Sequence, residues 1–63
     1  METAAAFVSR CRKAMGLGKV AFAKVVGRDR KTINRWEDGI NEPCYEDIRK
    51  MEALLAAAAR KKR

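Results

Sequence analysis

The sequence has no histidine, one proline, one tryptophan and two cysteines, Cys11 and Cys44, that lie far apart and form no CxxC arrangement. Each shortage excludes something. A structural zinc site needs about four nitrogen or sulfur ligands, and two separated thiols without imidazole do not supply them, so no metal is expected. Nucleophilic or acid–base catalysis is as poorly provided for. There is no Gly-rich phosphate loop before a strand and no pair of carboxylates in a foreseeable pocket. Neither thiol has a base within foreseeable reach. The chain is therefore not expected to be an enzyme, and neither a cofactor nor a small-molecule ligand is expected. Spacing does not settle whether the two thiols pair. Both are expected as reduced, packed side chains, because cysteine is among the residues most often buried.

Long apolar runs are also missing. The longest, "ALLAAAA" from Ala53 to Ala59, falls far short of the ~20 residues that span a bilayer. The N-terminal "METAAAFVSR" carries an early acid and no basic start, unlike a secretory signal. These features predict a soluble, cytoplasmic protein without a membrane partner. At 63 residues the chain is expected to be one domain, residues 1–63. Such a chain buries only ~60% of the surface it exposes when unfolded. With metal and disulfides poorly provided for, self-association is the expected supplement.

Acidic residues are scarce in one half only. Between Arg10 and Arg35 there are nine bases and one acid, Asp29, whereas Trp36 to Ala59 holds six acids and two bases. With a net charge of +7, this partition predicts one strongly positive face, suited to a polyanion.

What is present reads as helices, four or five of them, and no strand. Thr3 is placed to cap a first helix. In it Ala4, Phe7, Val8, Cys11, Ala14 and Met15 recur at helical spacing. "GLG", Gly16 to Gly18, ends that helix and offers Gly18 as the next N-cap. A second helix, Lys19 to Val26, would turn Phe22, Val25 and Val26 inward, with Ala23 permitting close helix contact. Gly27 closes it.

The third helix begins after Asp29, a good N-cap. At ~100° per residue, Ile33, Trp36 and Ile40 fall on one side, with Lys31, Asn34, Arg35 and Asp38 opposite and Arg30 at the margin. Glu37 faces inward, and a buried carboxylate needs a partner. "DGINEP" is a turn-rich connector. A last helix, from about residue 44 or 45, presents Ile48, Met51, Leu55 and Ala58 on one face. Leu54 and Ala57 remain for a subunit contact, and "RKKR", residues 60–63, forms a basic tail. The expected core is Phe7, Cys11, Phe22, Ala23, Ile33, Trp36, Ile48, Met51 and Leu55.

The stretch "FAKVVGRDRKTINRWEDG", with "GLG" before it and Pro43 after it, resembles the Cro and phage-repressor (XRE-like) family of helix-turn-helix DNA-binding domains. Phe22 and Ala23, Gly27, Ile33, Trp36, Glu37 and Gly39 carry the likeness, which covers about residues 7–55. The resemblance implies an all-α, lambda-repressor-like domain of five helices, with the helix-turn-helix at about residues 19–38. It pairs Arg12 with Glu37 as a structural ion pair. It implies base reading in the major groove by Arg30, Lys31, Asn34 and Arg35, and phosphate contact by Lys19, where the family usually has Gln. Arg28 is read as an added phosphate clamp, Thr32 as a cap or backbone contact, and Asp38 as the edge of the footprint.

The function implied is sequence-specific binding of double-stranded DNA by a homodimer on a palindromic operator, as in small phage or mobile-element repressors. Such a protein would lie on the nucleoid when bound. The competing expectation is an antitoxin-like or adaptor protein whose main partner is another protein.

Overall fold

Thr3 begins the ordered helices. In a computed structural model, which describes residues 2–61 and the backbone alone of Lys61, its hydroxyl accepts from the Ala6 N–H at 3.1 Å. That bond satisfies one of the amides that a helix start leaves unpaired. Helix α1 then runs Ala4–Ala14, α2 Lys19–Val26, α3 Arg30–Glu37 and α4 Tyr45–Lys61. The described residues hold these four helices and no strand, an all-α fold. Where the resemblance implies five helices, α4 instead continues unbroken for 17 residues. Nothing between Tyr45 and Ala59 interrupts it, and its alanines and leucines are strong helix formers. Of the basic tail expected at residues 60–63, the last two residues lie outside the described residues.

The chain reverses between helices with few residues. Gly16 takes φ 69° just beyond the α1 C-cap, a left-handed conformation that costs glycine little. Gly18 flanks α2 without any side-chain cap. Residues 27–29 alone separate α2 from α3. There Gly27 adopts φ 84° and returns its N–H to the Ala23 carbonyl. Asp29 then accepts from the Thr32 N–H at 3.0 Å and also from the Thr32 hydroxyl, fixing the start of α3.

The core joins all four helices: Val8 and Cys11 from α1, Phe22, Ala23 and Val26 from α2, Ile33 and Trp36 from α3, and Met51 from α4. Helix α1 packs on α3 and α4, and α2 packs on α3 and to a lesser extent on α4. The radius of gyration, 10.8 Å, is close to the ~10.6 Å of a well-packed chain of this length.

Six residues are placed differently from the sequence reading. Phe7, Ile48 and Leu55, expected in the core, only flank it, while Val8 and Val26 are fully enclosed. Val25 is 42% exposed, because the inner side of α2 is centred between Phe22, Ala23 and Val26 and Val25 lies about a quarter turn away. Ile40 is 69% exposed. Helix α3 has already ended at Glu37, and Gly39 at φ 78° redirects the backbone. Leu54, expected to be free for a subunit contact, packs against the core instead.

Candidate nucleic-acid interface

Helix α3 has the sharpest division of faces in the chain. Ile33 and Trp36 are buried on one side, and Arg30, Lys31 and Arg35 are exposed on the other, with Asn34 half-buried beside them. Eight residues make only two turns, so this sorting depends on where the helix starts. The Asp29 cap sets that start. Thr32 holds the Asp29 carboxylate, chiefly through its hydroxyl and also through its N–H, and keeps it below the usual carboxylate range. The one acid of the basic half is thus engaged at the helix end.

Glu37, the inward acid of α3, meets Arg12 of α1. The guanidinium donates from Nε to Oε2 at 2.7 Å and from Nη2 to Oε1 at 3.2 Å. Its Nη1 also donates to the Leu17 carbonyl at 3.1 Å, so one side chain joins α1, the first glycine turn and α3. Hydrogen bonding to Glu37, more than charge attraction, raises the Arg12 pKa above its ordinary value. Two parallel N–H···O bonds fix relative orientation as well as distance. The pair therefore sets how α3 is presented, without contributing to its outer face.

A second brace holds the turn between α2 and α3 from the far side. Arg28 donates from Nη2 to Asp47 Oδ2 at 3.0 Å and from Nε to Oδ1 at 3.2 Å. The Cys44 thiol donates to the same Oδ2 at 3.1 Å, and Lys50 Nζ donates to the Val26 carbonyl at 3.0 Å. Burial works to raise the Asp47 pKa, but the hydrogen bonds from Cys44 and Arg28 outweigh it and leave it lowered. Sequence reasoning missed this brace. Arg28, expected as a phosphate clamp, is bonded bidentately to Asp47, although its side chain remains 46% exposed. Cys44, expected as a packed thiol, is exposed and unpaired. It sits just before α4 and hydrogen-bonds three residues ahead, the spacing of a capping box. That spacing was the available signal. Cys11 is free and buried, and burial raises its pKa.

Among the described residues, six cations of the basic half are left without such an acidic partner. Of the nine bases between Arg10 and Arg35, Arg10 pairs with Glu2, Arg12 with Glu37 and Arg28 with Asp47. Among the described residues Lys13, Lys19, Lys24, Arg30, Lys31 and Arg35 have no carboxylate within 4.0 Å. Lys19 is the first residue of α2 and half-buried. Thr32, expected near the DNA backbone, has its hydroxyl engaged by Asp29.

Among the described residues no three His, Cys, Asp or Glu side chains are grouped to hold a metal ion. No described helix is long and apolar enough to cross a membrane. Compared with protein-family models, with curated proteins and with solved structures, the chain matches none, so its functional reading rests on its own residues.

Proposed function

We propose that the chain binds double-stranded DNA sequence-specifically, with α2 and α3 acting as a helix-turn-helix of the Cro and phage-repressor type. One observation carries this reading. The indole of Trp36 is buried while Arg30, Lys31 and Arg35 project from the outer side of the same short helix, without acidic partners among the described residues. An α-helix fits the major groove of B-DNA, and a convex cationic helix suits that groove better than it suits a small ligand.

In this reading Arg35 and Arg30 donate two hydrogen bonds each to guanine O6 and N7, a contact worth ~1–3 kcal/mol of discrimination. Lys31 reads guanine as well, and Asn34 reads adenine. Lys19 binds phosphate from the start of α2, which fixes register without reading sequence. Arg28 supports the α2–α3 turn through Asp47 and offers phosphate only the outer part of its guanidinium.

The biological unit proposed is a homodimeric transcriptional regulator on a two-fold site, with half-sites ~34 Å apart along the duplex. Occupying a promoter is sufficient for repression and needs no effector domain. A cytoplasmic, nucleoid-bound location accompanies this role. Selection of bound duplexes from a randomised pool tests the proposal. Enrichment of a palindromic site supports it, and failure to enrich any sequence over the starting pool overturns it.

A further inference from the structure

The two ion pairs that brace α2 and α3 are built differently. Arg12 and Glu37 have side chains 17% and 10% exposed, and Arg12 has a third bond, to the Leu17 carbonyl. Arg28 and Asp47 are 46% and 9% exposed. Arg28 commits Nε and Nη2 to the carboxylate, and its Nη1 meets no acceptor among the described residues. The first pair is closed on both sides, whereas the second is open to water on its cationic side.

Two further features let the Arg28 side chain leave without loosening what surrounds it. The turn has supports of its own: the Arg28 N–H donates to the Ala23 carbonyl at 2.9 Å, and Lys50 Nζ donates to the Val26 carbonyl at 3.0 Å. Asp47 also keeps favourable company. It is the third residue of the 17-residue α4, where the positive end of a helix favours a carboxylate, and it accepts from the Cys44 thiol at 3.1 Å. Position supplies the destination. Arg28 stands two residues before Arg30, the first residue of α3, so their Cα atoms are at most about 7 Å apart. With the start of α3 against base edges, phosphates of the flanking backbone come within reach of Arg28.

We propose that Arg28 is an exchangeable cation, held by Asp47 in the free protein and passed to a phosphate oxygen when DNA binds. This rests on the DNA reading above and adds a control to it, because Asp47 becomes an internal competitor of the phosphate backbone. The exchange begins at Nη1, the outer part of the guanidinium, while Nε and Nη2 are still engaged. Carboxylate is replaced by phosphate, so one set of charge-assisted hydrogen bonds gives way to another. Every duplex must displace Asp47. Affinity is therefore lowered for all sequences by the same factor, and the preference among them is untouched.

Fluorescence anisotropy with a pool-selected duplex and its scrambled counterpart, over a range of salt, tests the exchange on the full chain. Asp47→Asn and Asp47→Ser each remove the charge and keep a hydrogen-bonding side chain. Both should bind both duplexes about 3- to 10-fold more tightly than the wild type, even though their folding stability is lower. Arg28→Gln should bind both duplexes less tightly and reduce the salt slope by about 0.9, the equivalent of one phosphate. Arg28→Gln combined with Asp47→Asn should match Arg28→Gln alone. That comparison separates exchange from the mere removal of an acid, which would raise affinity in either background. Asp47 variants that fold but bind no more tightly, variants that both fail to fold by circular dichroism, or an equal gain with and without Arg28 would each overturn the proposal and leave the DNA reading standing. A wild type with no affinity for either duplex would overturn both.

Discussion

Replacing Glu37 with alanine should destabilise the domain well beyond the loss of an ordinary surface ion pair. The change leaves Arg12 between α1 and α3 with only its bond to the Leu17 carbonyl. Breaking a fully buried pair by removing one partner costs ~3–5 kcal/mol. Here the side chains retain 17% and 10% exposure, so water reaches the orphaned guanidinium and the cost should fall to about 2–3 kcal/mol. A chain of 63 residues has a total stability of roughly 3–9 kcal/mol, which makes that loss a large fraction of the whole. At ~4–8 °C per kcal/mol for a domain of this size, the midpoint should drop by about 8–24 °C. Urea and thermal unfolding, followed by circular dichroism and by the fluorescence of the single tryptophan, would measure it. Methionine at both positions should recover most of the loss, because no charge is then left unpaired. A cost below about 0.5 kcal/mol for Glu37→Ala, within the range of ordinary surface changes, would refute the reasoning. So would a double variant as unstable as the two single changes added together.

Other outcomes follow from the same geometry. Trp36→Ala should cost ~3–5 kcal/mol and leave little folded protein at 25 °C, seen as loss of the helical circular dichroism signal. Gly27→Ala should cost ~1–2 kcal/mol, because φ is 84° and an added Cβ would stand 3.3 Å from Lys50 Nζ; denaturant midpoints would show it. Asp47 has a lowered pKa when folded, so its contribution is full above the unfolded value of ~3.9 and is lost as pH falls through the folded value. Asp47→Asn should therefore be less stable than the wild type at pH 6, with the gap narrowing below about pH 4. Ile40→Ser, at an exposed site beyond α3, should change stability by less than ~0.5 kcal/mol.

How much of this was legible depended on whether a feature is local. The helix starts could be read because Thr3, Gly18 and Asp29 act on amides within a few residues of themselves. The inward and outward sides of α3 could be read because apolar and cationic residues alternate there with high contrast. Val25 was misassigned because α2 is only eight residues long and mostly apolar, so its period barely distinguishes neighbouring orientations. Ile40 was misassigned because periodicity was carried past a glycine that ends the helix. The Arg28–Asp47 brace joins residues 19 positions apart, and sequence spacing does not reveal which cation an acid will choose at that range. Cys44 shows a related limit. Its residue type suggests burial, but its position before α4 places it at the surface beside Asp47.

The central claim is that the outer side of α3 reads DNA, and competition binding tests it most directly. Fluorescence anisotropy would compare the pool-selected duplex with its scrambled counterpart, for the wild type and for a variant with alanine at both Lys31 and Arg35. The wild type should prefer the selected site at least ~10³-fold. The variant should keep the unfolding midpoint and the weak salt-dependent affinity for any duplex, with most of its preference gone. Undiminished preference in the variant, or equal affinity of the wild type for both duplexes, would contradict the account.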